Sequence, residues 1–70
     1  MDIPMKIKLA ETYAGISEAE LARRLGYNSQ QALIQRMRTG KFTSDELQRI
    51  AAALDATFEY AFVFRDGTRI

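Results

Sequence analysis

The chain contains no cysteine, no histidine and no tryptophan, and only one proline. Without cysteine there is no disulfide, and without cysteine or histidine the usual zinc ligands are missing, so neither a metal nor a cofactor is expected. The same absences remove the thiol nucleophile and the commonest general base. Glycine is scarce as well, at four residues, and none of them forms a loop that could cradle a phosphate. The carboxylates fall at helix starts or on exposed faces, while Ser17, Ser29 and Ser44 read as caps with no base partner. An enzyme is therefore not expected. No apolar run approaches the ~20 residues of a membrane span, and the N-terminus lacks the apolar core of a signal peptide. The composition suits a cytoplasmic protein without membrane contact. It leaves no spare residues for a small-molecule pocket.

What is present is 70 residues, 47% hydrophobic and 27% charged, enough for one folded domain and too few for two. A chain of this length buries only roughly 60% of its unfolded surface. It must pack tidily or complete its core with a second copy. Ten basic and nine acidic residues leave a net charge of +1, which alone points to no polyanionic partner. Their order is more informative. Between Leu21 and Ser44 there is no acidic residue, whereas Arg23, Arg24, Arg36, Arg38 and Lys41 supply five positive charges.

The punctuation predicts four helices. Pro4 suits a first turn, Met5 to Ala14 follows, and Gly15 stops the segment, although Met5 to Leu9 also alternates like a strand. Ser17 to Glu20 fits a capping box and opens a second helix with Leu21, Ala22 and Leu25 on one face, ended by Gly26. Asn28 or Ser29 caps a third helix, from about Gln30 to Thr39 and stopped by Gly40. Leu33 and Met37 turn it toward the core, with Ala32 or Ile34 at the margin. Thr43 to Glu46 is a second capping box, and Leu47, Ile50, Ala51 and Leu54 make the apolar stripe of a fourth helix. Beyond Ala56 the period changes to two, with Phe58, Tyr60, Phe62 and Phe64 on alternate positions. Asp66-Gly67 then predicts a type I′ turn that folds Thr68 to Ile70 back on the strand. The expected class is mainly α with a C-terminal β-hairpin, residues 1–56 forming a helix-turn-helix domain and residues 57–70 the hairpin of the same unit.

Two short helices joined by a tight glycine-containing turn make a helix-turn-helix. Its second helix leaves Gln30, Gln31 and Gln35 toward solvent, and such amides can pair with the N6 and N7 edge of adenine in the major groove. Ser29 and Ile34 border them, the latter suited to a thymine methyl or to the core margin. Arg36, Arg38 and Lys41, with Arg23, Asn28 and Thr39, are the expected phosphate contacts.

The stretch from Ile16 to Leu54 resembles the Cro-type helix-turn-helix family (XRE family) of phage repressors and small bacterial regulators. The matching residues are the L-A-x-x-L-G run at Leu21 to Gly26, Q-A-L at Gln31 to Leu33, Gly40, and L-x-x-I-A-x-A-L at Leu47 to Leu54. The resemblance implies a lambda-repressor-like bundle of four or five helices that binds palindromic operator DNA as a homodimer, with the third helix reading bases. Two positions depart from the pattern. Glu18 stands where the family often has a phosphate-binding glutamine, and a carboxylate cannot donate to phosphate. The turn is also one residue longer than the commonest form.

The aromatic strand is a large apolar payload for so small a domain. Phe58, Tyr60, Ala61, Phe62, Val63 and Phe64 are the expected dimer interface, in which two hairpins join into one four-stranded sheet. A strand that only caps the monomer core is the plainer alternative. The competing function is a protein-interaction module on the same scaffold, an antitoxin or phage factor that meets its partner through this strand.

Overall fold

The computed structural model describes residues 2–70. Four helices carry it: α1 (Ile3–Ala14), α2 (Glu18–Arg24), α3 (Gln30–Arg38) and α4 (Ser44–Ala53). Each begins at a side-chain cap, with Asp2, Ser17, Ser29 and Thr43 accepting from the backbone N–H of Met5, Glu20, Ala32 and Glu46. Each cap satisfies one donor that the first helical turn leaves unpaired. α1 starts one residue before the expected Pro4 because Asp2 caps it, and Pro4 falls in the first turn, where a missing N–H costs nothing. The helix buries Ile7 and Glu11, one turn apart, so the strand-like alternation of Met5 to Leu9 is not expressed.

Only one of the two expected capping boxes closes. Thr43 N–H donates to Glu46 Oε1 at 2.9 Å while Glu46 N–H donates to Thr43 Oγ1 at 3.1 Å. At α2 the Ser17 half forms, but the Glu20 carboxylate faces Arg23 and Arg24 instead of reaching back. α4 ends without glycine. Asp55 takes the left-handed conformation, with φ of 56°, and Ala56 N–H closes on Ala51 C=O at 2.8 Å.

Leu21 and Leu33 lie fully buried between α2 and α3, and Ile7, Met37, Ile50 and Leu54 pack around them. Helix α2 touches all three others and is the hub of the core. Burying two leucines contributes roughly 2 kcal/mol each, so α3 is held from its inner side by the two most deeply buried side chains of the core. No described helix is long and apolar enough to cross a membrane.

The predicted C-terminal β-hairpin does not form. The chain does turn back at Asp66-Gly67: Phe64 N–H donates to Thr68 C=O at 2.8 Å, and Ile70 N–H donates to Phe62 C=O at 2.7 Å. What results among the described residues is a single isolated antiparallel bridge between Val63 and Arg69, with no strand. Nor is the turn of type I′, since Gly67 has a positive φ of 89° and Asp66 does not. Gly67 N–H donates to Phe64 C=O at 3.0 Å, giving a three-residue loop with glycine in the left-handed place. The reason the strand fails is lack of support. Phe58 is half-buried, but Tyr60, Ala61, Phe62, Val63 and Phe64 are exposed, and a two-stranded ribbon with no packed face is marginal in water. Of the four alternating aromatics only Phe58 is even half-buried.

Candidate nucleic-acid interface

The turn between α2 and α3 is fixed by backbone bonds on both sides. Gly26, at φ of 83°, lets the chain leave α2, and Tyr27 N–H donates to Ala22 C=O at 3.0 Å. Ser29 then caps α3 through Ala32 N–H at 3.2 Å. Its hydroxyl hydrogen remains available as a donor. With Leu33 and Met37 turned inward, the outer side of α3 carries Gln30, Gln31, Gln35 and Arg38, all exposed. Gln31, Gln35 and Arg38 follow the i, i+4, i+7 spacing of a single row along the helix. Ile34 beside them is half-buried, as befits a margin residue, and Asn28 is exposed in the turn.

The cations divide into two groups. Arg23 grips Glu20 through Nε at 2.9 Å and Nη2 at 2.5 Å, and Arg24 Nε meets the same carboxylate at 2.9 Å. These guanidinium donors hold the Glu20 carboxyl down at about 2. Arg24 also donates to the Ala53 C=O at 2.8 Å, tying α2 to the end of α4. Arg36 binds Glu46 through Nε at 2.8 Å and Nη2 at 2.5 Å, donates to Thr39 Oγ1 at 2.6 Å, and lies 4.9 Å from the centroid of the Phe42 ring. Thr39 Oγ1 in turn bonds Arg36 C=O and Lys41 N–H.

Of the five charges in the basic stretch, three are thus paired with a carboxylate, Arg23 and Arg24 sharing that of Glu20 and Arg36 holding that of Glu46. Arg38 and Lys41 keep side chains without a partner among the described residues. Arg36 and Thr39, expected to contact phosphate, are engaged in a latch between α3 and α4, and Arg23 is engaged on the surface of α2. Glu18 is half-buried and turned toward α1, where it shares a notch with Glu11.

No protein-family model, no curated protein and no solved structure matches this chain. The exposed row on α3, with the unpaired Lys41 beyond its end, is what the structure offers to a functional reading. The sequence signal for Glu20 with Arg23 and Arg24 is the i, i+3 and i, i+4 spacing of one helix. Arg36 with Glu46, ten residues apart across a loop, has no such local signal. Among the described residues there is no cluster of metal-ligating side chains.

Proposed function

We propose that this protein is a sequence-specific regulator that binds double-stranded DNA with the outer row of α3 in the major groove, as a homodimer on a palindromic site and in the role of a repressor. The observation that carries this is the row Gln31, Gln35 and Arg38, exposed and unpaired, on a helix anchored by the fully buried Leu33 against Leu21. Gln30 and Ile34 flank the row, Ser29 and Asn28 stand at its groove edge, and Lys41 lies beyond its end. A bidentate glutamine amide discriminates bases by about 1–3 kcal/mol, and the cations set register on the phosphates. The resemblance of residues 16–54 to Cro-type regulators supports the same assignment.

In the dimer, the C-terminal arm acquires the partner that it lacks alone. Segments 62–64 and 68–70 form a full hairpin when two arms pair edge to edge, covering Tyr60, Phe62 and Phe64 and setting the two α3 helices about one helical turn, roughly 34 Å, apart. Fragments selected from random DNA by the full chain test the reading. Enrichment of a palindrome, lost in a Gln31→Ala, Gln35→Ala double variant that remains folded, is the expected result. Failure to enrich any sequence would overturn it.

The exposed arm also favours a second reading, a protein-interaction module whose partner covers the aromatics. That reading predicts that the double glutamine variant keeps its partner, and that substitutions at Phe62 and Phe64 lose it.

A further inference from the structure

The junction of α1 and α2 brings two carboxyl groups into one notch. Its walls are Lys8, Glu11 and Thr12 of α1 with Ile16, Ser17 and Glu18. Glu11 is only 6% exposed, and its Oε2 is buried without a hydrogen-bond partner, as is Oε1 of Glu18. The Thr12 hydroxyl is spent on Lys8 C=O at 3.0 Å, and Ser17 Oγ accepts from Glu20 N–H at 3.1 Å. An ionised carboxylate accepts only, so two of them facing each other without donors are poorly tolerated. One proton changes the chemistry: a neutral carboxyl becomes a donor to its neighbour.

We propose that Glu11 carries a proton held against Glu18 at the α1–α2 junction, and that the release of this proton loosens α1 from the helix-turn-helix. The charged groups facing Glu11 are Lys8 on its own helix and Glu18 on α2. Burial first, and the charge of Glu18 second, push the Glu11 carboxyl up to about 7 against the opposing pull of Lys8. Glu11 is the more deeply buried of the two carboxyl groups, so the proton resides on it. Once Glu11 ionises, like charges face each other across the junction that joins α1 to the core. The backbone bonds there, Gly15 N–H to Thr12 C=O and Ile16 N–H to Glu11 C=O, report the loosening.

The test uses the full chain, with the Glu11 side-chain carboxyl carbon followed by NMR from pH 4 to 9 and amide exchange read at Gly15 and Ile16. The expected result is a Glu11 midpoint well above the ordinary carboxylate range. With it should come a several-fold fall in protection at both amides through that midpoint, after correction for intrinsic exchange, while Leu33 on α3 is unchanged. Glu11→Gln makes the junction amides insensitive to pH, and Glu18→Gln lowers the Glu11 midpoint. The proposal is overturned if Glu11 titrates near the usual value of 4.5, or if protection at Gly15 and Ile16 does not change with its titration. The wild-type titration decides the matter even if a variant fails to fold.

Discussion

The guanidinium of Arg36 binds both carboxylate oxygens of Glu46, Nε to Oε2 at 2.8 Å and Nη2 to Oε1 at 2.5 Å. Glu46 simultaneously closes the capping box of α4 by accepting Thr43 N–H. One side chain therefore starts α4 and fixes the far end of α3, while the arginine lies over the Phe42 ring. Glu46 is held below its ordinary titration range, first by Thr43 N–H and then by Arg36.

Glu46→Gln should lower the urea midpoint more than Glu20→Gln does. Both changes remove arginine partners, but Glu20 serves pairs within one helix at the surface, which contribute little. Glu46 joins two helices and a cap. Because its folded-state pKa is depressed, its contribution is present above the ordinary carboxylate range and lost as pH falls through the depressed value. The two variants' midpoints should therefore converge in strong acid.

Asp55 is the one non-glycine residue with positive φ among the described residues, and it places a negative charge at the C-terminus of α4. The left-handed conformation strains a residue with a Cβ, and the helix dipole disfavours an anion there. Asp55→Gly should raise stability by up to about 1 kcal/mol, partly offset by the extra freedom glycine gives the unfolded chain. Thermal unfolding of the two chains checks it. A lower melting temperature for the glycine variant would show that the Asp55 side chain has a compensating role.

The features legible in the sequence are those encoded within one or two turns of chain. Leu21, Leu33, Met37, Ile50 and Leu54 are buried as their spacing requires, and Ser29 and Thr43 cap the helices that they precede. The exposed glutamines of α3 follow from the same periodicity. Contacts between distant residues left no such trace: Arg36 with Glu46, Arg24 with the Ala53 carbonyl, and Glu11 beside Glu18 all depend on how helices pack. The strand over Phe58 to Phe64 failed for a related reason. Alternation describes a surface suited to pairing, but a stable strand also requires a packed face, and the isolated arm, although it turns back on itself, has none.

Glu11 gives stability a pH dependence of opposite sign to that of Glu46. Its folded-state pKa is raised to about 7 from 4.5, so its contribution is fully present below about 4.5 and is lost as pH rises through 7. The penalty at pH 8 is at most about 3 kcal/mol, from 1.36 kcal/mol per pK unit. Glu11→Gln should accordingly match the wild type at pH 4 and exceed it at pH 8 in chemical denaturation. Equal gains at both pH values would mean that packing, not charge, explains the change.

In the proposed DNA complex, the division of cations fixes how affinity should depend on salt. With all five charges of the basic stretch on phosphates, a dimer would neutralise about ten, and log K would fall with a slope near −9 against log salt at roughly 0.9 per phosphate. The ion pairs of Arg23 and Arg24 with Glu20, and of Arg36 with Glu46, leave Arg38 and Lys41 to contact the backbone. Four contacts per dimer give a slope between about −3 and −4. Titration of one selected palindrome at several salt concentrations measures it. Arg38→Ala should flatten the slope by about 2 per dimer and weaken binding on every sequence alike. Glu20→Gln, which frees Arg23 and Arg24, should steepen it. A slope near −9 in the wild type would show that DNA breaks these pairs and recruits all five cations, and the latch between Arg36 and Glu46 would then have to open in the complex.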